Sequence, residues 1–267
     1  LWDVEPLQDA YNQLQFMELY YNFLNMDSDR YVLDGELHQV LLAARELDPD
    51  NLPLDARNWV NRRLQYTHGY GVAMSPATDF PRDEGRPEFL IQDIPIRGEI
   101  PINRPELYYG ESPASFALVN TGAPEIDPSG GDLHYDGTGG VNLDSTFRRL
   151  AYAWQFTDIN ILLSDQLSPE TRIQYRRQIG DRVHSLVPFM TMDDDPYPVV
   201  DEAGKLWWLQ DGFTTTNRYP YSTMANDGFN YIRNSVKAVV DAFSGDVSIY
   251  VMDPSDPILQ MYRRAFP

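Results

Sequence analysis

Cysteine is absent from the 267-residue sequence, and lysine is nearly absent. Without cysteine the chain has no disulfide, no thiolate nucleophile and no cysteine metal site. No window approaches the run of about 18 apolar residues that a membrane-spanning helix needs. A basic stretch followed by an apolar core, which is the pattern of a signal peptide, is also missing. Because the chain begins with Leu1, we expect a trimmed or processed segment whose targeting signals lie outside it.

Positive charge is scarce. The chain has 2 Lys and 19 Arg against 28 Asp and 12 Glu, which gives a net charge of −19. A nucleic-acid-binding surface needs positive charge to displace counterions, so the balance argues against such a partner. With 42% hydrophobic and 13% aromatic residues, the chain should still fold around a core. An acidic, Lys-poor exterior suits a surface that faces salt or a solvent whose composition the cell does not control, although a genomic bias from Lys to Arg explains it equally well.

Periodicity and turn signals predict an α+β fold with mainly antiparallel hairpins, short strands and about four to five helices. Glycine and proline recur through 67–144, which favours short strands joined by ordered turns. We expect a single domain over 1–267, with a division into 1–142 and 143–267 as the alternative. Apolar spacing predicts helices over about 6–23, 54–66, 143–154, 168–187 and 257–265. Turn residues predict hairpins at 31–47 around Asp34-Gly35, at 198–214 around Glu202-Ala203-Gly204, and at 231–252 around Ser244-Gly245.

A candidate ligand site follows from two histidines that adjoin glycine loops. The fold could bring His68 and His134 together with the neighbouring Tyr70, Tyr135 and Asp136. No two of the four histidines fall at metal-ligand spacing on one helix, so no local pattern supports such a site. For the loop 136–140, a structural turn is the competing interpretation. The loop 136–140 lacks the Gly-Lys-Ser/Thr ending of a phosphate loop and the full dinucleotide fingerprint.

Tyrosine-rich stretches offer a second type of ligand surface, because aromatic faces stack against sugars. The competing interpretation is that half-buried strand positions account for most of the 17 tyrosines. The tyrosines concerned are Tyr66, Tyr70, Tyr108, Tyr109, Tyr219 and Tyr221.

Consecutive carboxylates at Asp193, Asp194 and Asp195 provide hard oxygen ligands of the kind that calcium prefers. Neither this run nor 253–256 has the spaced ligands and closing Glu of an EF-hand loop. A solvated acidic loop is the competing interpretation, and no other cofactor is predicted.

The segment between Arg148 and Arg182 departs from the acidic background, with six arginines against four acidic residues. If a helix begins at Ser168, Arg172 and Arg176 lie one turn apart on the same face. Such a face could bind anionic lipid headgroups or an acidic partner. Internal pairing with the surplus aspartates is the competing interpretation.

Catalytic motifs are missing from the sequence. There is no Gly-x-Ser-x-Gly nucleophile elbow and no Ser-x-x-Lys. Paired carboxylates for glycoside cleavage occur by chance among 40 acidic residues, so they carry little weight. We therefore lean towards a protein that is not an enzyme.

Several long strings resemble one protein family. They are 67–76 (THGYGVAMSP), 104–111 (RPELYYGE), 135–140 (YDGTGG), 194–199 (DDPYPV), 217–222 (NRYPYS) and 230–237 (NYIRNSVK). These strings resemble a large uncharacterised family of multi-pass membrane proteins from actinobacteria, cyanobacteria and related bacteria. The resemblance covers nearly the whole chain. It implies a soluble extramembrane segment of a larger protein in which transmembrane helices precede this part, and it implies no activity, cofactor or catalytic residue.

The leading functional expectation is a non-catalytic extracytoplasmic domain of an integral membrane protein, serving binding, assembly or sensing at the cell envelope. Its expected partners are the membrane-embedded part of its own full-length chain and an envelope or carbohydrate ligand. One alternative is a hydrolase of an envelope carbohydrate polymer that uses paired carboxylates in a Tyr-lined cleft. Another is a transport accessory domain whose Arg-bearing helices dock on the membrane part.

Overall fold

Antiparallel sheets and five α-helices make up the computed structural model, which describes residues 3–15, 18–78, 87–112 and 115–266. The predicted α+β class is confirmed. The helices are α1 (Val4–Leu14), α2 (Thr146–Phe156), α3 (Asn160–Leu163), α4 (Ile179–Leu186) and α5 (Pro257–Ala265). The strands are β1 (Tyr21–Phe23), β2 (Asp27–Leu33), β3 (Glu36–Leu47), β4 (Gly69–Tyr70), β5 (Val72–Pro76), β6 (Ile91–Gln92), β7 (Arg97–Gly98), β8 (Glu106–Leu107), β9 (Ala117–Val119), β10 (Glu125–Ile126), β11 (Asp132–Leu133), β12 (Val141–Asn142), β13 (Arg172–Gln174), β14 (Thr191–Met192), β15 (Tyr197–Val200), β16 (Leu206–Thr216), β17 (Tyr231–Asp241) and β18 (Val247–Val251).

Two larger sheets form around long strands. In the first, β3 pairs with β1, β2 and β5, and the sheet continues through β6 to β7. In the second, β16 pairs with β14, β15 and β17, and β17 pairs with β18. A smaller sheet has the order β12-β13-β9, and two-stranded ladders join β4 to β8 and β10 to β11. All these strand pairs are antiparallel.

The three predicted hairpins are confirmed by the pairing of β2 with β3, β15 with β16 and β17 with β18. They form at these positions because each turn contains residues that tolerate positive φ. Asp34 and Gly35 connect β2 to β3 with φ of 51° and 82°. Gly204 connects β15 to β16 with φ of 73°, and a Cβ there would lie 2.6 Å from the carbonyl oxygen of Pro101. Gly245, also at φ 73°, connects β17 to β18. The short strands expected over 67–144 are present as β4 to β12.

Two of the predicted helices are confirmed. Helix α5 has the predicted bounds: Asp256 accepts a hydrogen bond from the amide of Ile258, and Pro257 follows the cap. Helix α2 also forms, and its N-cap is Ser145, whose side chain accepts a hydrogen bond from the amide of Arg148.

Three predicted helices are wrong in extent. The first ends at Leu14, and Tyr21–Phe23 forms β1 because it pairs with Arg45–Leu47. The stretch 54–66 holds only a 3-10 turn and a π-helical turn. The helix predicted from Ser168 begins only at Ile179.

Residues 172–174 form a strand instead of continuing that helix, because they pair with β9 on one side and β12 on the other. Strand pairing here overrides the helix that the sequence predicts from Ser168. The side chain of Ser168 closes only a turn, in which its Oγ accepts from the amide of Glu170.

The largest core cluster lies between the two larger sheets and receives Leu42 from β3, Trp208 from β16 and Val240 from β17. The segment after β8 runs through this core, since Tyr108 and Tyr109 are each 1% exposed. The indole of Trp208 donates to the carbonyl of Tyr109 at 2.9 Å. No helix in the described ranges is long and apolar enough to cross a bilayer.

Candidate functional site

A small cleft contains three of the five residues of the predicted ligand site. It has a volume of about 210 Å³ and is open at the surface. We call it the polar cleft. Its lining comes from the segment around β8, from the residues after β11 and from the turn after β17. The lining residues include Arg104, Glu106, Tyr108, His134, Tyr135, Asp136 and Phe243.

An ion pair occupies one side of the polar cleft. The guanidinium of Arg104 donates to both carboxylate oxygens of Asp136, at 2.5 and 3.3 Å. It also lies over the ring of Phe243, 4.4 Å from the centroid. The hydrogen bond from Arg104 lowers the pKa of Asp136 below its usual value. Because both partners are largely exposed, the pair contributes little to stability but fixes the positions of one donor group and one acceptor group.

A second carboxylate in the polar cleft is incompletely paired. The Oε2 atom of Glu106 is buried and has no hydrogen-bond partner among the described residues. Burial raises the pKa of Glu106, and Arg104 opposes that rise. An unsatisfied buried oxygen costs free energy, so this atom is prepared to accept a hydrogen bond from a ligand or a water.

The floor of the polar cleft is tied to a buried carboxylate. The hydroxyl of Tyr108 donates to Glu125 at 2.9 Å, and Glu125 also accepts from the Thr67 hydroxyl and from the amide of Tyr135 at 2.9 Å. Burial raises the pKa of Glu125 to about 7, against the lowering effect of these bonds. The network holds Tyr108 and Tyr135 in place.

His68 lies behind the floor rather than in the polar cleft. Its ring packs on Tyr108 at 5.1 Å between centroids, and its Nδ1 lies 2.8 Å from the carbonyl of Gly69. This geometry assigns the ring proton to Nδ1 as donor. Nε2 is buried without a partner in the described part of the chain. Burial lowers the pKa of His68 to about 4, so the ring is neutral.

The other predicted ligand-site residues have different surroundings. His134 is exposed at the rim of the polar cleft. Tyr70 is buried on β4, where its register partner is Glu106 on β8. Among the tyrosines considered for sugar stacking, Tyr108 and Tyr109 are fully buried, whereas Tyr221 is fully exposed.

The glycine loop 136–140 is a structural turn. The guanidinium of Arg172 donates to the carbonyls of Thr138, Gly139 and Gly140. The amide of Gly139 donates to the hydroxyl of Tyr135 at 2.9 Å, and a Cβ at Gly139 would lie 2.1 Å from the carbonyl oxygen of Ser244. Close packing therefore requires glycine here.

The predicted helix face with Arg172 and Arg176 does not exist. Arg172 lies on β13, and Arg176 lies in the following loop with φ of 49°. Arg172 is committed to the glycine loop, so it is not available to an outside anion. The internal pairing considered for it uses backbone carbonyls rather than aspartates. Arg176 remains exposed.

Acidic side chains show two arrangements that local patterns do not predict. Asp27 and Glu111, far apart in sequence, are partly buried, and burial with neighbouring carboxylates raises their pKa values to about 7 and about 8. Asp195 accepts from the amide group of Asn25 at 2.5 Å. Asp256 is buried and accepts from Thr214, Ser235 and Tyr231.

In the ranges that the structure describes, no group of three or more His, Asp or Glu is placed to hold a metal ion, including Asp193, Asp194 and Asp195.

Arg104, Glu106 and Phe243 were not predicted as site residues. Arg104 and Glu106 lie within one of the strings that resemble the family, which was the only signal for them. Phe243 had no signal, because its place beside Arg104 depends on the turn between β17 and β18 meeting a distant loop.

Comparison with known proteins places the whole chain in one group. Residues 1–267 match the model of an uncharacterised protein family, UPF0182. Members from Desulforamulus reducens, Pelotomaculum thermopropionicum and Synechococcus sp. (strain JA-3-3Ab) are 44%, 46% and 47% identical over all of this chain. The chain spans only 29%, 30% and 33% of their lengths. No solved structure matches.

Proposed function

The chain belongs to the uncharacterised protein family UPF0182, and we propose that it is a non-catalytic extracytoplasmic binding domain of a larger integral membrane protein. Its ligand is a polyhydroxylated compound, such as one sugar unit of an envelope polymer, which binds in the polar cleft. The domain also assembles with the membrane-embedded part of the same full-length protein.

The observation that carries this proposal is the unpartnered Oε2 atom of Glu106 beside the Arg104–Asp136 pair. A sugar hydroxyl both donates and accepts, so it can donate to Glu106 while a neighbouring hydroxyl accepts from Arg104. The volume of about 210 Å³ is below the range of roughly 300–1,000 Å³ typical of drug-sized ligands, which favours a single ring.

A hydrolase is the second candidate, and the same two carboxylates support it. The pKa of Glu106 is raised and that of Asp136 is lowered, which is the division between a general acid and an ionised carboxylate in glycosidases. However, Arg104 occupies both oxygens of Asp136. A carboxylate held in this way is a poor nucleophile and a poor base, so the geometry favours binding over cleavage.

The assembly part of the proposal is supported by helix α2. Its residues Phe147, Leu150 and Trp154 are 78%, 53% and 86% exposed, while Ala153 and Phe156 on the opposite side pack into a core cluster. A helix that is apolar on both sides is typical of an element covered on both sides. About two thirds of the length of the relatives lies outside this chain and can supply the cover.

Titration with neutral monosaccharides tests the binding function. We expect saturable chemical-shift changes with N-acetylglucosamine or glucose at residues around the polar cleft. Glu106→Gln should raise the Kd at least tenfold, because it replaces the acceptor oxygen pair with an amide. Glu202→Gln, in the exposed turn between β15 and β16, is the matched control and should leave the Kd unchanged.

The proposal fails if neither sugar binds, or if the two variants lose affinity equally. Turnover of a chromogenic glycoside by the wild-type chain, abolished by Glu106→Gln, would instead establish the hydrolase.

A further inference from the structure

A second cleft, on the side of α4, has the opposite electrostatic character to the rest of the molecule. Its volume is about 240 Å³. We call it the arginine cleft. Its lining includes Tyr109, Tyr175, Arg176, Arg182, Ser185 and Leu186, and none of its lining residues is acidic. This is unusual for a chain with 40 acidic residues and a net charge of −19.

The two arginines keep their charge available. Neither Arg176 nor Arg182 forms an ion pair with a carboxylate in the described part of the chain. Arg182 is held in place: its Nε donates to the carbonyl of Gly245 at 2.5 Å, its Nη1 donates to the carbonyls of Tyr175 and Arg176 at 3.4 Å, and its guanidinium lies 4.5 Å from the ring centroid of Tyr109. Its Nη2 donates to no group in the described part of the chain, so this terminal nitrogen can donate to a ligand. Arg176 is exposed. One arginine is therefore positioned in advance and the other is free to move onto a ligand.

Tyr109 adds an independent observation. It lines the arginine cleft and is 1% exposed, and its hydroxyl is buried without a hydrogen-bond partner among the described residues. Burial raises the pKa of Tyr109, against the lowering effect of Arg182 and Arg177, so the hydroxyl keeps its proton. A buried O–H without an acceptor is a group that an oxyanion can satisfy.

We propose that the arginine cleft binds a phosphate-type oxyanion, carried either by a lipid headgroup or by a soluble phosphoryl compound. Guanidinium groups match the geometry of phosphate oxygens, and hydrogen bonds between charged groups are stronger than neutral ones. The arginine cleft shares no lining residue with the polar cleft. A negative result for phosphate binding therefore does not bear on sugar binding in the polar cleft, and the reverse also holds.

The test is titration of the chain with inorganic phosphate, followed by calorimetry and by the ¹⁵N shifts of arginine side chains. Phosphate should bind saturably. Arg176→Gln should raise the Kd about tenfold, because it removes one charged donor from an exposed side chain without disturbing the fold. Arg148→Gln is the matched control: it removes an exposed arginine outside the cleft and should leave the Kd unchanged.

Tyr109→Phe removes only the unpartnered hydroxyl. It should weaken phosphate binding severalfold while the melting temperature stays the same or rises.

Cosedimentation with vesicles of phosphatidylcholine and phosphatidylglycerol, compared with phosphatidylcholine alone, separates the two sources of the anion. Binding to the mixed vesicles that Arg176→Gln abolishes assigns the anion to a lipid headgroup, and binding to phosphate alone assigns it to a soluble compound. The proposal is overturned if the wild-type chain binds neither probe, or if Arg176→Gln and Tyr109→Phe bind both as the wild type does.

Discussion

Arg172 and Arg176 carry the same charge four residues apart, yet their surroundings give them different roles. Arg172 donates to carbonyls of the glycine loop and to the side chain of Asn142, whereas the side chain of Arg176 is exposed. Sequence spacing could not separate them, because the strand that contains Arg172 exists only through its two neighbours.

We expect Arg172→Ala to lower the free energy of unfolding by about 2–3 kcal/mol, since several charge-assisted hydrogen bonds are lost. Arg176→Ala should change it by no more than about 0.5 kcal/mol, as is usual for exposed side chains. Urea denaturation of the two variants measures the difference. Equal effects would contradict the role given to Arg172.

His68 and Glu125 give the stability two opposing dependences on pH. The pKa of His68 is about 4 in the folded chain and near 6.5 in the unfolded chain. The free energy of unfolding is therefore undiminished by His68 above pH 6.5 and decreases as the pH falls from 6.5 towards 4. The pKa of Glu125 is about 7 in the folded chain and near 4.5 in the unfolded chain. The free energy of unfolding is therefore undiminished by Glu125 below pH 4.5 and decreases as the pH rises from 4.5 towards 7. Between pH 4.5 and 6.5 the two effects largely cancel.

Single substitutions should reveal each slope. Between pH 4.5 and 6.5, His68→Gln should make the unfolding free energy fall with rising pH relative to the wild type, and Glu125→Gln should make it rise, each by an amount on the order of 2 kcal/mol. Chemical denaturation at the two pH values measures both. If the two variants shift the slope in the same direction, the assigned protonation states are wrong.

Among the elements, α2 shows best what the sequence can and cannot predict. The stripe of Phe147, Leu150 and Trp154 correctly predicts a helix, but in the structure this stripe faces outward. Tyr152 and Phe156 on the opposite side pack inward instead. Because both sides are apolar, periodicity alone cannot choose between them. The hairpins were predictable to within a few residues, since their turns depend on local φ angles that Asp and Gly adopt readily.

The outward stripe should contribute little to the stability of the isolated chain. Replacing Phe147, Leu150 and Trp154 together by serine should change the unfolding free energy by less than about 1 kcal/mol. Phe116→Ala, which removes a buried ring in contact with Phe156, should cost about 3–5 kcal/mol. Thermal and urea unfolding compare the two variants, and a large loss in the triple variant would mean that the stripe is part of the core.

Assembly through α2 can be tested with cysteine, which this chain lacks. A thiol introduced as Trp154→Cys should react with a maleimide in the isolated chain and be protected in the full-length membrane protein. Leu37→Cys, at the exposed tip of the hairpin between β2 and β3, is the control and should react in both. Detection on the peptide that carries each position makes the comparison independent of other thiols. Equal reactivity of position 154 in both contexts would remove the assembly proposal.

At the scale of the whole molecule, composition argues against a nucleic-acid partner and the family strings resemble a family of membrane proteins, but neither locates a site. The polar cleft depends on loops near 104, 135 and 243 that meet only when the sheets pack. The arginine cleft likewise needs the segment after β8 to reach α4. Sites assembled from distant segments leave no spacing signal. Sequence can group His134, Tyr135 and Asp136 because they are adjacent in the chain, but only the fold brings Arg104, Glu106 and Arg182 to the two clefts.

The proposed binding function requires an extracytoplasmic location for this domain. The direct measurement is labelling of Leu37→Cys in the full-length protein with a membrane-impermeant thiol reagent, in intact cells and after lysis. For an extracytoplasmic domain we expect full labelling of the peptide that carries position 37 in intact cells. Labelling of that peptide only after lysis would contradict it.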